Sequence, residues 1–404
     1  MKLFRISILI LLLFFNCGTE VEFQIDEMEP PLTDVCTLEL TFGNNEENLP
    51  SEYLLISPSS ITVSDNNDIF VEDETSIKVY NSNGRPKTII GGKGEGPGEF
   101  RNIFGISIGP SGILLVREEQ YSSIFTPDYK FISKIDFRYS RLRASIQEEY
   151  KWESINLSEV LYLSEDERIA LIRGGTHLYN PDPSHYYVLI HEKHDSLKSI
   201  VHHSIEYEFS YYRRIEGAGY GARYTLDFLS KFLWSYVSGD KIIYVKTSED
   251  VINNNSESYY TLHVFSLHDG QEKEIIQRYT RIPVSDEQIR YFNEEAAFNP
   301  KNKDLRNLID RIINTIEDKK YNASLQSLKA DRNYIFAFTY KMNSKKEIIA
   351  DVFDIDAGEY LVSAYFPKIP RIIKNGYAYY LISETDENFP KIEKYKLDPA
   401  VYGK

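Results

Sequence analysis

Residues 61–84, moved forward by 45 positions, fall on residues 106–129 without a gap. Ile61-Thr62-Val63 lands on Ile106-Ser107-Ile108, and the turn Asn66-Asn67 on Ser111-Gly112. Phe70-Val71 lands on Leu115-Val116, and Val79-Tyr80 on Ile124-Phe125. Each unit is a set of short alternating runs bounded by Gly, Asn, Asp and Pro. That is strand patterning, and a period of 45 holds four strands, the size of one propeller blade. The composition agrees, with 31 Tyr and 22 Phe against 3 Met and 2 Trp, a bias towards strands.

The cadence continues to the end of the chain. Val79-Tyr80 then Gly84, Val264-Phe265 then Gly270, and Val352-Phe353 then Gly358 mark the same strand and turn in three units. An aromatic ends the strand, and the glycine supplies a left-handed turn residue. The sixth unit has three strands only, and an unpaired edge on a closed ring is a liability. Residues 36–42 (CTLELTF) supply a fourth strand from the other end. The expected fold is all-β: a six-bladed β-propeller of four-stranded blades over 35–400. The blades are expected at about 53–91, 104–138, 158–206, 231–282, 324–367, and 369–397 plus 36–42.

One segment departs from the strand pattern. Ser285 and Gln288 form a capping box. Leu305, Leu308, Ile309, Ile312, Ile313 and Ile316 then follow helical spacing. Residues 285–322 are therefore expected as a helical insert between blades four and five: a cap on the propeller, a lid, or a docking element.

The N-terminus reads as a targeting segment. Lys2 and Arg5 precede the apolar run Ile6 to Phe15, which is too short for a spanning helix of about 20 residues. The run ends at Cys17, which is expected to be the lipid-attachment residue of a signal peptide over 1–17. An acidic tether over 18–34 follows, with Pro30-Pro31 near its end. Cleavage before Cys17 removes two cations and no acid, so the formal charge of −15 becomes −17. Such a charge argues against nucleic-acid binding, which needs a basic stripe. With Cys17 lipidated, Cys36 has no partner for a disulfide. The expected location is the bacterial cell envelope, on the outer membrane or cell surface, with the domain monomeric and the membrane touched only through the lipid.

The stretch Ile90 to Phe100 (IGGKGEGPGEF) resembles the G-x-G-P-G-x-F linker of NHL-repeat propellers. Gly94, Gly96, Pro97, Gly98 and Phe100 carry the likeness. Phe14-Phe15-Asn16-Cys17-Gly18 resembles a bacterial lipobox, and the order of lipobox, closing strand, first blade and linker is similar to the bacterial "6-bladed β-propeller" lipoproteins. The resemblance implies the architecture and says almost nothing of function. An Asp that often ends the second strand in that family is present as Asp73, whereas the second blade has Glu118 there.

The candidate chemistry is sparse. His191-Glu192-Lys193-His194 falls in a turn, and His202-His203 are neighbours in a strand and point to opposite faces. Asp354 to Gly358 lacks the later ligands of a calcium loop. No metal or cofactor is expected. The innermost strand stretches, Ser60–Ser64, Gly105–Ile108, Val160–Leu163, Lys231–Tyr236, Ser327–Lys329 and Arg371–Lys374, offer hydroxyls and bases, no His and few acids.

The long segments are 138–158, 206–231 and 283–324 between blades, and 174–185 and 247–258 between second and third strands. All belong to one face of a propeller, which is the expected binding face. The candidate ligand residues there are Arg141, Arg143, Trp152, Tyr211, Tyr212, Arg213, Arg214, Tyr220, Arg223 and Tyr224. Three readings stay open: a non-enzymatic lipoprotein propeller binding a partner protein or glycan, a metal-dependent hydrolase or lyase of lactonase-like type in the central channel, and a structural envelope component.

Overall fold

The structure is a computed structural model. It describes residues 29–404 except 45–48, 177–183, 195, 216–217, 255–256, 299–301 and 384–388. For 211–215, 218–222, 254 and 295–298 it describes the backbone alone. The chain divides into Met1–Pro30, of which only Glu29 and Pro30 are described, and a body Pro31–Lys404. The expected signal peptide with Cys17, and the expected tether as far as residue 28, lie outside the described residues.

Strand β1 is Cys36–Phe42. Blade one is β2 (Pro58–Val63), β3 (Ile69–Asp73), β4 (Ser76–Tyr80) and β5 (Pro86–Gly91). Blade two is β6 (Gly105–Ile108), β7 (Leu114–Arg117), β8 (Tyr121–Phe125) and β9 (Phe131–Asp136). Helix α1 (Arg141–Tyr150) then leads to blade three: β10 (Ser154–Tyr162), β11 (Glu167–Gly175), β12 (His185–Lys193) and β13 (Ser196–Ser204). A separate hairpin, β14 (Glu208–Ile215) and β15 (Ala218–Thr225), precedes blade four. Blade four is β16 (Phe232–Val237), β17 (Lys241–Lys246), β19 (Glu257–Ser266) and β20 (Glu272–Tyr279), with the short β18 (Val251–Asn254) paired to β19. Helices α2 (Asp286–Phe298) and α3 (Lys303–Lys319) follow. Blade five is β21 (Ser327–Asp331), β22 (Tyr334–Met342), β23 (Ile348–Asp354) and β24 (Glu359–Phe366). Blade six is β25 (Ile372–Lys374), β26 (Tyr377–Ile382) and β27 (Lys391–Leu397), completed by β1.

The ring closes as the three-stranded sixth unit requires. β1 runs antiparallel to β27, from Cys36 opposite Leu397 to Phe42 opposite Ile392. Six apolar clusters follow, each shared by two successive blades. Phe70, Ile77 and Phe100 meet Leu114 and Val116 between blades one and two. Phe42, Val71 and Tyr80 meet Tyr379 between blades one and six. The other four interfaces are built in the same way.

The 45-residue register holds in the backbone itself. Asn67 and Gly112 both take positive φ, at 62° and 76°, and so do Gly84 and Tyr129, at 72° and 67°. A side-chain clamp repeats with them. Asp73 at the end of β3 accepts the amides of Ile56 and Ser57 at 3.1 and 2.7 Å. Glu118, 45 residues on, accepts the amide of Arg101 at 3.0 Å. In blade four Thr247 accepts the amide of Lys231 at 2.8 Å. In each case the residue ending or following the second strand fixes the chain that leads into the first strand. The Glu in place of Asp in blade two therefore keeps the role.

The linker motif works through its aromatic. Phe100 is fully buried, its amide bonds the Gly92 carbonyl at 2.9 Å, and its ring lies edge-on to Phe125. A Cβ on Gly91 would stand 2.1 Å from that ring, so only glycine fits there.

Three expectations are corrected. Residues 206–231 do not form an irregular loop, because most of them pair as the β14–β15 hairpin. β10 starts at Ser154, before the expected blade boundary at 158. The end of the expected tether is docked: Leu32 pairs with blade five, its amide bonding the Ser363 carbonyl at 2.8 Å, because its side chain joins an apolar cluster.

The helical insert is present. Its capping box forms, with the Ser285 amide donating to Gln288 Oε1 at 2.8 Å. Leu305, Leu308, Ile309, Ile312 and Ile316 are buried, but their partners are Phe209, Leu226, Leu229 and Phe292. The apolar stripe of α3 is thus spent on the β14 hairpin and the segment after it. Among the described residues no helix is long and apolar enough to cross a membrane.

Replacing Phe100 with Ala empties the blade one–two interface of a ring. The expected cost is about 3–5 kcal/mol, read as a lower midpoint in urea unfolding. A midpoint equal to the parent's would remove Phe100 from the interface.

Candidate functional site

In an antiparallel four-stranded blade, first strands begin and second strands end on the same face. That face carries α1, the β14–β15 hairpin, β18 and the α2–α3 insert, all of them additions to the bare blades.

Charged side chains meet at the channel on this face. Arg117 ends β7, Glu159 lies on β10, Lys231 precedes β16, Lys329 lies on β21 and Arg371 precedes β25. Glu72 on β3 joins them from blade one, buried beside Ser59. Glu159 sits deep among the blades yet stays open to solvent, as a channel-lining group does. It shares a cavity of about 200 Å³ with Ser107, Arg117, Ser158 and Trp234. The Trp234 indole N–H is buried and makes no hydrogen bond of standard geometry among the described residues. It lies near enough to favour the charged form of Glu159.

The surroundings bend the ordinary ionisation of these groups. Burial raises the Glu159 carboxyl above its usual value, although Trp234, Arg117, Lys329 and Lys231 all pull it back. Burial, then repulsion from Lys231 and Arg371, pushes Lys329 down to about 8 against the attraction of Glu159. Burial likewise lowers Arg117, with Glu159 and Glu72 opposing. Two orienting bonds are made to backbone: Lys329 Nζ donates to the Arg371 carbonyl at 3.0 Å, and Arg117 Nη2 to the Phe104 carbonyl at 2.7 Å.

A groove extends outward from Arg117 along the first half of β10. Two adjoining cavities of about 320 and 490 Å³ share Arg117, Ser154, Asn156 and Leu157. Arg138 and Arg143 line one end, Arg173, His185 and Arg223 the other. Arg143 is oriented by its Nη1 bond to the Ile155 carbonyl at 2.8 Å. Beneath the other end lies Glu208, whose side chain is almost fully buried. It pairs with Arg173, with Arg223 Nε at 3.1 Å and with His185 Nδ1 at 3.1 Å. Burial works against its charge, but the His185 contact and the charges of Arg173 and Arg223 outweigh it, so the carboxyl sits below the usual range. One carboxylate therefore holds two guanidinium groups at the groove floor.

A further cavity of about 460 Å³ lies on the opposite face between blades two and three. Its charges are already matched. Arg168 Nε pairs with Glu192 at 2.6 Å, His191 Nε2 and Lys193 Nζ with Glu167 at 2.7 and 3.0 Å, and His194 with Asp166 at 2.9 Å. The His191–His194 run is thus a turn of ion pairs. Its cations all face carboxylates, whereas Arg117 and Arg143 in the groove donate to backbone carbonyls. His202 and His203 do face opposite ways, His202 stacked on Tyr150 and Tyr186, His203 buried against Phe232. Asp354 accepts the amides of Asp356 and Ala357 and so closes a hairpin turn.

The structure scatters the sequence candidates. Arg143 and Arg223 line the groove, and Arg141 is exposed at the start of α1. Trp152 is only 7% exposed and stacks on Tyr150, so it anchors α1 on blade three rather than facing a ligand. Tyr224 lies edge-on to Phe292 in the insert. Tyr211, Tyr212, Arg213, Arg214 and Tyr220 are on the β14–β15 hairpin, where Arg213 pairs with Tyr220 through the backbone. Gly94, Gly96, Pro97 and Gly98 form the turn that delivers Phe100. Sequence reasoning missed Arg117, Arg173, Glu159 and Glu208. Lys231, Lys329 and Arg371 were within the inner-strand stretches whose bases it had noted.

Residues 50–228 match the sequence model of a family described as "6-bladed beta-propeller". No curated protein matches the chain. Solved structures similar to it include the "Putative exported protein" of Bacteroides fragilis NCTC 9343, at 12% identity and TM-score 0.40, covering 91% of this chain and 98% of that one. The WD40 domain of Neurospora crassa Pan2 is similar at 8% identity and TM-score 0.36, with 86% and 78% coverage. The calcium-binding protein regucalcin of Agrobacterium tumefaciens C58 is similar at 7% identity and TM-score 0.36, with 85% and 92% coverage.

Replacing Lys329 with Met tests the channel electrostatics. With its folded value near 8 and its ordinary value at 10.5, the native state holds fewer protons than the unfolded state between them. Native stability therefore rises with pH across that window, and below it the buried charge is a cost. The Met variant is expected to melt above the parent at pH 7, with the gap closing as pH approaches the upper value. Equal melting throughout would mean that Lys329 is ordinarily solvated.

Proposed function

We propose that this six-bladed propeller is a non-enzymatic, lipid-anchored binding protein of the bacterial envelope, taking a carboxylate-bearing glycan or partner protein on its elaborated face. The observation that supports this best is the groove beside β10. Arg117, Arg138, Arg143, Arg173 and Arg223 gather there; Asp136 pairs with Arg138, Glu208 pairs with Arg173 and Arg223, and Glu119 and Glu153 also line it, while Arg117 and Arg143 donate to the backbone carbonyls of Phe104 and Ile155. Arg117 and Arg143, which have guanidinium N–H groups beyond those given to backbone carbonyls, are the donors an anionic group would meet there. Guanidinium forks suit carboxylates geometrically. Phe104, 52% exposed, borders the groove and offers a ring face for stacking on a sugar.

The anchor rests on Lys2, Arg5, the run from Ile6 to Phe15, and Cys17. The alternative of a metal-dependent hydrolase fits the channel poorly. A metal ion there would sit among Arg117, Lys231, Lys329 and Arg371, and Coulomb repulsion opposes that.

Two measurements test the reading. In capture from acidic-glycan arrays and envelope extracts, Arg143→Ala and Arg223→Ala are each expected to weaken binding by about 1–3 kcal/mol. Undiminished capture by both would remove the groove from function. Cys17→Ala in the full chain is expected to release the protein from the membrane fraction. Retention there would overturn the lipid anchor.

A further inference from the structure

The channel mouth carries a second pattern that the groove does not explain. Each blade contributes one charged side chain to an electrostatically linked chain. In blade order these are Glu72, Arg117, Glu159, Lys231, Lys329 and Arg371. Signs alternate through the first three blades, where Arg117 lies between two carboxylates. The last three blades supply cations only.

Those three cations are poorly answered. Lys231 has Asp227 at 3.9 Å, an exposed pair of little strength. Lys329 donates to a backbone carbonyl, that of Arg371. Among the described residues no carboxylate lies within ion-pair distance of Lys329 or Arg371; Glu159 is the nearest influence of opposite sign on Lys329. Packing like charges inside a ring is costly, and a fold retains that cost most cheaply when an anion relieves it. Access is open, since Arg371 is exposed, Lys231 is 40% exposed and Lys329 is partly exposed.

We infer that the blade four-to-six side of the channel mouth, formed by Lys231, Lys329 and Arg371, is a binding site for a compact oxyanion, a carboxylate or a phosphate. Arg371 supplies a planar fork and the two lysines point charges. Glu159 and Glu72 interact electrostatically with Arg117, and their own charge opposes an anion that comes near them. The inference does not depend on the groove: the oxyanion is either free or the terminal group of a longer ligand.

The test is thermal and calorimetric titration of the full chain, purified in detergent, with inorganic phosphate, sulfate and glucuronate, at ionic strength matched with chloride. A ligand that binds only the native state raises its melting temperature. At least one of the three is expected to do so, with phosphate and glucuronate distinguishing the two anion classes. Lys329→Met and Arg371→Met are expected to weaken binding at least about tenfold. The first of these is expected to be more stable than the parent, so its loss would not be misfolding. Binding should also weaken as pH rises past about 8, where Lys329 gives up its proton beside Lys231, Arg371 and Glu159. Arg143→Ala, in the groove, should leave oxyanion binding intact, which separates failure here from failure of the groove. No shift with any of the three anions, or shifts equal in parent and Lys329→Met, would overturn the site.

Discussion

Every blade here is a sheet with two apolar faces, and such a sheet is stable only when both are covered. The covering is mutual: each of the six apolar clusters belongs to two blades. The last of these exists only because β1 has crossed from the start of the chain to pair with β27. That single antiparallel pairing removes the free edge of blade six and brings Phe42 against Tyr80 and Tyr379. Without it, blades one and six would each show an uncovered face, and the channel would not be a channel.

The carboxylates divide by what holds them. Asp73 and Glu118 accept backbone amides of the segment that leads into the first strand of their own blade, and each also meets a lysine, Lys78 or Lys134. Asp351, fully buried, accepts from Tyr260 and Ser363 at 2.8 and 2.6 Å and ties blade four to blade five. Burial pushes its carboxyl up. These are framework groups. Glu208 differs because it holds arginines that remain at a groove wall, and Glu159 because it faces the channel. The excess cations of the elaborated face stand out against a framework whose acids are mostly engaged.

Most of the fold is legible in the sequence. The repeat of 45 recurs as paired positive-φ residues, the closing strand pairs where the missing edge demanded it, and the capping box at Ser285 forms. Local signals of this kind survive because turns, caps and strand alternation depend on neighbours in sequence. The hairpin at 208–225 escaped notice because its strands hold few of the apolar alternations that mark a buried strand; it is covered by α3 instead. Trp152 looked like a ligand residue for the converse reason. An aromatic in a loop carries no local mark of whether the loop folds back, and here Gly174 leaves the space that its ring fills.

What the sequence determined by itself was the architecture: six units, their strands, the closing strand and the place of the helical insert, all set by periodicity and turn chemistry. What only the tertiary structure decided was the charge geometry. Arg117 and Lys329 are more than 200 residues apart, and Glu208 reaches Arg173 from outside the blade that carries it. Such groups come near one another because the ring sets the blades about one axis and the β14 hairpin lies against blade three. Electrostatic interaction depends on distance in space and on burial, and neither is written in the local order of residues.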